Sequence, residues 1–175
     1  QPINALAWSP DGTRLAVSST ESIQIWDIAT GEIIQVWDDK ADTMKWSPDG
    51  TILATAYRVD AYETPRTNSL RLWHVDSDNP HLQLVIQAGE IADFAWSPDG
   101  SRIVTGNRAF GSTAIIQSIP AVEIWNTNTG ELVLALPDHQ GAVISVAWTS
   151  NGNPLTTAGS ATRLYLWDVS ADQAV

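Results

Sequence analysis

The sequence predicts an all-β fold of four repeated units, each a small antiparallel sheet of four strands. Three observations predict it. A phrase ending in a turn recurs four times. It reads Ala7-Trp8-Ser9-Pro10-Asp11-Gly12, Lys45-Trp46-Ser47-Pro48-Asp49-Gly50, Ala95-Trp96-Ser97-Pro98-Asp99-Gly100 and, in altered form, Ala147-Trp148-Thr149-Ser150-Asn151-Gly152. A second phrase follows each one: Ile25-Trp26-Asp27, Leu72-Trp73-His74, Ile124-Trp125-Asn126 and Leu166-Trp167-Asp168. Between the phrases lie short runs of β-branched, aliphatic and aromatic residues, punctuated by turns too often for helices of ordinary length. Eight of the nine Trp occupy these two repeat positions, and only Trp37 lies elsewhere.

The first unit shows the logic of each element. Ile3–Trp8 reads as a strand. In the Ser-Pro-Asp-Gly that follows, Pro presets φ, Asp bonds nearby backbone and Gly accepts a positive φ, which makes a hairpin turn. Arg14–Ser18 is then the antiparallel partner. Ile23–Trp26 is a third strand, closed by the turn Asp27-Ile28-Ala29-Thr30-Gly31, and Glu32–Trp37 is a fourth. Runs such as Ile33-Ile34-Gln35-Val36-Trp37 and Leu132–Leu136 are apolar on both faces. A sheet buried on one side alone would alternate. Apolar residues on both sides predict sheets sandwiched between neighbouring sheets.

Repeats of this kind resemble the WD40 family, whose units run roughly 40–45 residues with four strands per blade. The resemblance covers essentially the whole chain. Trp-Ser-Pro-Asp-Gly is also similar to the repeats of TolB-like and peptidase propellers, and in style to bacterial WD40 proteins. The Trp-Asp-x-x-Thr-Gly turn favours WD40. The resemblance implies a partial β-propeller over residues 1–175, with blades at roughly 1–38, 39–88, 89–138 and 139–175. The repeat tryptophans Trp8, Trp26, Trp46, Trp73, Trp96, Trp125, Trp148 and Trp167 are its expected structural residues. The family's hydrogen-bond tetrad joins a His, a Ser/Thr, the second-phrase Trp and an Asp. Blade four offers His139, Thr157 and Trp167 but no Asp, and blades one to three lack the His. Stability is therefore expected to rest more on Trp packing than on polar networks.

Aligned on the first unit, the last blade is truncated as its fourth strand begins. The expectation is a segment of a longer propeller, or two copies pairing into an eight-blade ring. The partners so implied are the remaining blades or a second copy, besides a protein partner.

The repeat is uneven. Trp8, Trp46, Trp96 and Trp148 stand 38, 50 and 52 residues apart. The extra length falls between the second and third strands of blades two and three, roughly residues 57–68 and 107–118. By resemblance to WD40 propellers these insertions emerge on one face. They carry three of the seven arginines, Arg58, Arg66 and Arg108, with Tyr57, Tyr62 and Phe110. Arg and aromatic residues are enriched at binding hot spots. Arg58, Tyr62, Arg66, Arg108 and Phe110 are the candidate partner-binding residues. The competing reading is that both are tolerated surface insertions.

Other chemistry finds little support. A net charge of −11 opposes binding nucleic acid or anionic membrane through a broad basic patch. With no Cys, disulfides, thiolate metal sites and Cys nucleophiles are absent, and the compartment stays open. No apolar run reaches membrane-spanning length. The three His, His74, His81 and His139, are not at metal-ligand spacing. Asp11, Asp49 and Asp99 recur as turn residues, which needs no calcium. Asp38, Asp39 and Asp42 read as a solvated turn. No phosphate loop or nucleophile elbow is present. The expected function is a non-catalytic interaction scaffold without cofactor or metal. The alternative is the non-catalytic propeller part of a larger hydrolase or kinase.

Overall fold

A computed structural model describes residues 2–57, 69–75, 82–87, 91–107, 121–136, 142–152, 154–158 and 164–169, the last strands partly as backbone alone. The chain forms two compact units, Gln1–Val85 and Ile86–Val175.

In the first unit, β1 (Ile3–Trp8), β2 (Arg14–Ser19), β3 (Ile23–Asp27) and β4 (Ile33–Trp37) form one antiparallel sheet in chain order. β5 (Thr43–Trp46), β6 (Ile52–Ala56), β7 (Ser69–His74) and β8 (Leu82–Gln87) form the next, with the unit division falling inside β8. In the second unit, β9 (Ile91–Trp96), β10 (Arg102–Asn107), β11 (Val122–Asn126) and β12 (Leu132–Leu136) repeat the pattern. β13 (Val143–Trp148), β14 (Pro154–Ala158) and β15 (Leu164–Leu166) form a sheet of three strands among the described residues.

The strands meet as the turn chemistry demands. In the first sheet Ala7 pairs with Ala16 and Ala16 with Ile25, while Trp8 pairs with Leu15 and Leu15 with Trp26. Successive side chains point to opposite faces. Ala7, Ala16 and Ile25 therefore share one face, and Trp8, Leu15 and Trp26 the other. Pro10-Asp11-Gly12 closes the hairpin: Gly12, at φ 72°, donates its amide to the Ser9 carbonyl. That left-handed backbone is open to Gly without the strain a Cβ brings.

The core of the first unit is the seam between its two sheets. Ala16, Ile23, Ile25 and Trp37 of the first sheet cluster with Met44, Trp46, Leu53 and Val75 of the second. Trp37, the one tryptophan outside the repeat phrases, stacks on Trp73 with ring centroids 5.1 Å apart. The second unit repeats the seam. Val104, Val122, Ile124 and Leu136 cluster with Val143, Val146 and Val169, and Trp148 and Trp167 lie against them. Gly106 belongs to this seam by necessity. A Cβ there would stand 2.5 Å from Val143 Cγ1 and 2.8 Å from Val146 Cγ1. Here glycine is required by close packing, not by its backbone angle.

Candidate functional site

Three sets of side chains are held in place by this frame. The first is the row of Ser-x-Asp turns. Ser9 Oγ donates to Asp11 Oδ1 at 2.6 Å, and the Thr13 amide donates to the same oxygen at 3.0 Å. Ser47–Asp49 and Ser97–Asp99 repeat the first contact at 2.6 Å. Each hydroxyl also accepts the amide of the strand that follows, from Arg14, Ile52 and Arg102. Hydrogen bonds to a carboxylate favour its charged form. The Ser9 hydroxyl, and then the Thr13 amide, lower Asp11 to about 2. Ser47 and Ser97 likewise lead in lowering Asp49 and Asp99. In the altered fourth turn Thr149 Oγ1 donates to Asn151 Oδ1, so an amide fills the carboxylate's place.

The second set is the joint between sheets within each unit. Trp46 Nε1 donates to the Ala7 carbonyl at 3.0 Å, and Trp148 Nε1 to the Ala95 carbonyl at 2.9 Å. A net hydrogen bond contributes about 1 kcal/mol, against roughly 1.5–3 kcal/mol for burying a large apolar side chain. Apolar burial therefore dominates, and the indole N–H sets the position of one sheet on the next. Polar clamps flank both joints. Asp39 pairs with Arg71 in the first unit, with the Asp39 side chain only 9% exposed. Asp39 is thus not part of a solvated turn, because Arg71 on the adjacent sheet covers its carboxylate. In the second unit Asp93 Oδ2 accepts from Ser145 Oγ at 2.9 Å and from the Val146 amide at 3.1 Å.

The third set is what survives of the tetrad. Trp73 Nε1 donates to Thr55 Oγ1, and Trp125 Nε1 to Thr105 Oγ1, both at 3.0 Å. The matching position in the first sheet is Val17, which offers no acceptor, and Trp26 Nε1 is buried without a partner. In the fourth sheet Thr156 stands opposite Tyr165, as Thr55 stands opposite Arg71. Thr157 pairs instead with Leu164. By strand register the matching position is Thr156, one residue before the Thr157 that the family resemblance implied. His139 lies outside the described residues.

So do the candidate partner-binding residues Arg58, Tyr62, Arg66, Arg108 and Phe110. The roots of both insertions are described. One runs between β6 and β7, ending at Ala56 and resuming at Ser69; the other between β10 and β11, ending at Asn107 and resuming at Val122. The corresponding link in the first sheet spans only Ser19 to Ile23. At the second root, Asn107 Nδ2 donates to Glu123 Oε2 at 2.8 Å, and Glu123 is 7% exposed. Sequence reasoning missed this buried carboxylate. Its signal was a charged residue one place ahead of the Ile-Trp phrase.

Among the described residues no group of His, Asp and Glu could hold a metal ion, and no helix is long and apolar enough to cross a membrane. A groove of about 390 Å³ in the second unit is lined by Asp99, Arg102, Trp148 and Asn151 among others. Its Ser97 and Ser101 hydroxyls both donate to Asp99 as parts of the turn.

Four-stranded antiparallel sheets, the paired Trp phrases and the Trp-to-carbonyl joints define a WD-repeat β-propeller protein. A sequence profile of the anaphase-promoting complex subunit 4 WD40 domain matches residues 1–44 and 44–151, and the chain belongs to that family. It is 34% identical over 55 residues to the retinoblastoma-binding-like protein E of Dictyostelium discoideum, covering 31% of this chain and 10% of that protein. It is 20% identical over 172 residues to the WD repeat-containing protein WDS homolog of Arabidopsis thaliana, covering 98% of this chain and 30% of that one. With the human U5 small nuclear ribonucleoprotein 40 kDa protein it shares 29% identity over 75 residues, 43% of this chain and 18% of that protein. The chain thus spans less than a third of each of these relatives. A chain in the crystal structure of the mitotic checkpoint complex superposes with a TM-score of 0.70 at 20% identity, over 94% of this chain and 47% of that chain.

Proposed function

We propose that the chain is a non-catalytic, protein-binding segment of a WD40 propeller, and that the two insertions carry its partner-binding residues. The observation that carries this reading is where the extra length sits. It leaves the sheets between their second and third strands, while β5–β7 and β9–β11 keep the pairing of the first sheet. Added chain that leaves a scaffold's pairing undisturbed is suited to carrying function. Its Arg and aromatic content fits a binding hot spot. Relatives named for a small nuclear ribonucleoprotein and for a checkpoint complex are components of assemblies, which supports a role in protein association.

The test replaces Arg58, Tyr62, Arg66 and Phe110 with Ala and compares proteins captured by the wild-type and variant chains. The reading expects specific partners to disappear while thermal unfolding is unchanged. An unchanged partner set removes the insertions as the binding surface.

A further inference from the structure

The fourth hairpin turn differs from the other three in one chemical group. Where they carry Asp11, Asp49 and Asp99, it carries Asn151, and Gly152 follows. Of the chain's eight asparagines, the other seven precede Ala, Ser, Pro, Arg or Thr, so Asn151 alone stands before a glycine. The turn keeps its polar contacts. Thr149 Oγ1 donates to Asn151 Oδ1, as Ser9, Ser47 and Ser97 donate to their carboxylates. The Gly152 amide donates to the Thr149 carbonyl at 2.9 Å. Asn151 is exposed. Asp11, Asp49 and Asp99 are exposed in the same way, so this exposure belongs to the turn wherever it stands in the chain.

An asparagine beside a glycine has a route to lose its amide. The main-chain nitrogen of the glycine attacks the asparagine Cγ. A Cγ–N bond forms, the Cγ–Nδ2 bond breaks, and ammonia leaves with the proton of the attacking amide. Water then opens the cyclic imide. Addition at Cγ restores the main chain and leaves an aspartate, while addition at the main-chain carbonyl leaves an isopeptide link. The net reaction consumes one water and releases one ammonia. Three features favour it at Asn151. A glycine brings no Cβ to crowd its nitrogen, and a Cβ built on Gly152 would meet nothing within 4 Å. The Thr149 hydroxyl polarises the Asn151 carbonyl and makes Cγ a better electrophile. The bond from Gly152 to Thr149 must release before attack, and it lies at an exposed turn tip, where local opening costs least.

We propose that Asn151 is a site of spontaneous deamidation, and that the aspartate so formed completes the fourth turn as a carboxylate. The repeat shows that this place holds an anion. In the first turn Asp11 Oδ1 accepts from Ser9 Oγ at 2.6 Å and from the Thr13 amide at 3.0 Å. Such donors favour the charged form and keep Asp11, Asp49 and Asp99 below the ordinary carboxylate value of 3.8. An ionised carboxylate has no leaving group to give up, so those three Asp-Gly turns resist the same attack. Thr149 offers the new carboxylate the same donor, and the conversion therefore runs one way. It adds one negative charge to a chain whose net charge is −11.

The test incubates the 175-residue chain in mildly alkaline heavy-oxygen water, digests it and reads each asparagine-containing peptide by mass spectrometry. The expected result is the mass shift of an amide exchanged for a labelled carboxyl at Asn151 before any other asparagine, with main-chain-linked aspartate among the products. Asn151→Gln should lose the shift. Asn151→Asp, which carries the product's carboxylate from the start, should melt no lower than wild type. An Asn151 that stays an amide overturns the proposal, and so does another asparagine converting first. Product that is isopeptide-linked alone overturns it too, as does a lower melting temperature for Asn151→Asp, because the fourth turn then fails to take the carboxylate.

Discussion

The indole N–H of Trp46 reaches across the seam of the first unit to the main-chain carbonyl of Ala7, and Trp148 reaches the carbonyl of Ala95 in the same way. Trp46 is 7% exposed, so its ring and its N–H act together. Trp46→Phe keeps an aromatic ring, removes the donor and leaves the Ala7 carbonyl short of a partner. The expected loss is roughly 1–3 kcal/mol, read as a lower urea midpoint at an unchanged slope.

Gly106→Ala tests the second seam. The new methyl would lie 2.5 Å from Val143 Cγ1, and Val143 is itself 1% exposed. Overpacking of this kind costs about 1–3 kcal/mol. Val143→Ala alone should also destabilise, by leaving a hole. The double variant should recover part of both losses, and a double-mutant cycle with no coupling would show that the contact is not felt.

Val17→Thr should stabilise the chain. Thr55 and Thr105 accept from Trp73 and Trp125 at the matching position, whereas Trp26 Nε1 is buried without an acceptor. Supplying the hydroxyl should add about 0.5–1.5 kcal/mol, less the loss of one methyl group. Thermal melting decides the sign.

The turns make stability depend on acid. Asp11, Asp49 and Asp99 each titrate below the ordinary carboxylate value of 3.8, Asp11 at about 2. A carboxyl depressed in the folded state adds stability above its unfolded value, and that contribution is lost as pH falls through the folded value. The urea midpoint should therefore be flat at pH 5 and above, and fall from near pH 4 towards pH 2. Asp11→Asn should flatten that fall. Asn151, which already takes the Thr149 hydroxyl, shows that an amide can occupy the turn.

Much of the fold was readable in advance because its determinants are local. The Ser-Pro-Asp-Gly turn and the strand Ile3–Trp8 come from residues adjacent in the chain, and β1 has those bounds. Contacts between sheets were not readable. Asp39 and Arg71 are 32 residues apart, and only the stacking of one sheet on the next joins them. The same holds for Gly106, whose neighbour Val143 belongs to another strand pair. Thr157 is named from the family resemblance, and only the cross-strand pairing points to its neighbour Thr156. For the candidate binding residues, composition and position were the whole signal, and all five lie outside the described residues.

The acceptor in each Trp joint is a peptide carbonyl, not a side chain. Every residue type carries that group, so substitution at Ala7 or Ala95 leaves it chemically intact. Duplicating one blade within the gene therefore duplicates a working attachment with it. The new blade brings its own tryptophan and finds an acceptor already present in the old one, with no second mutation required. In chains assembled this way the number of blades can change while the group that joins them stays the same.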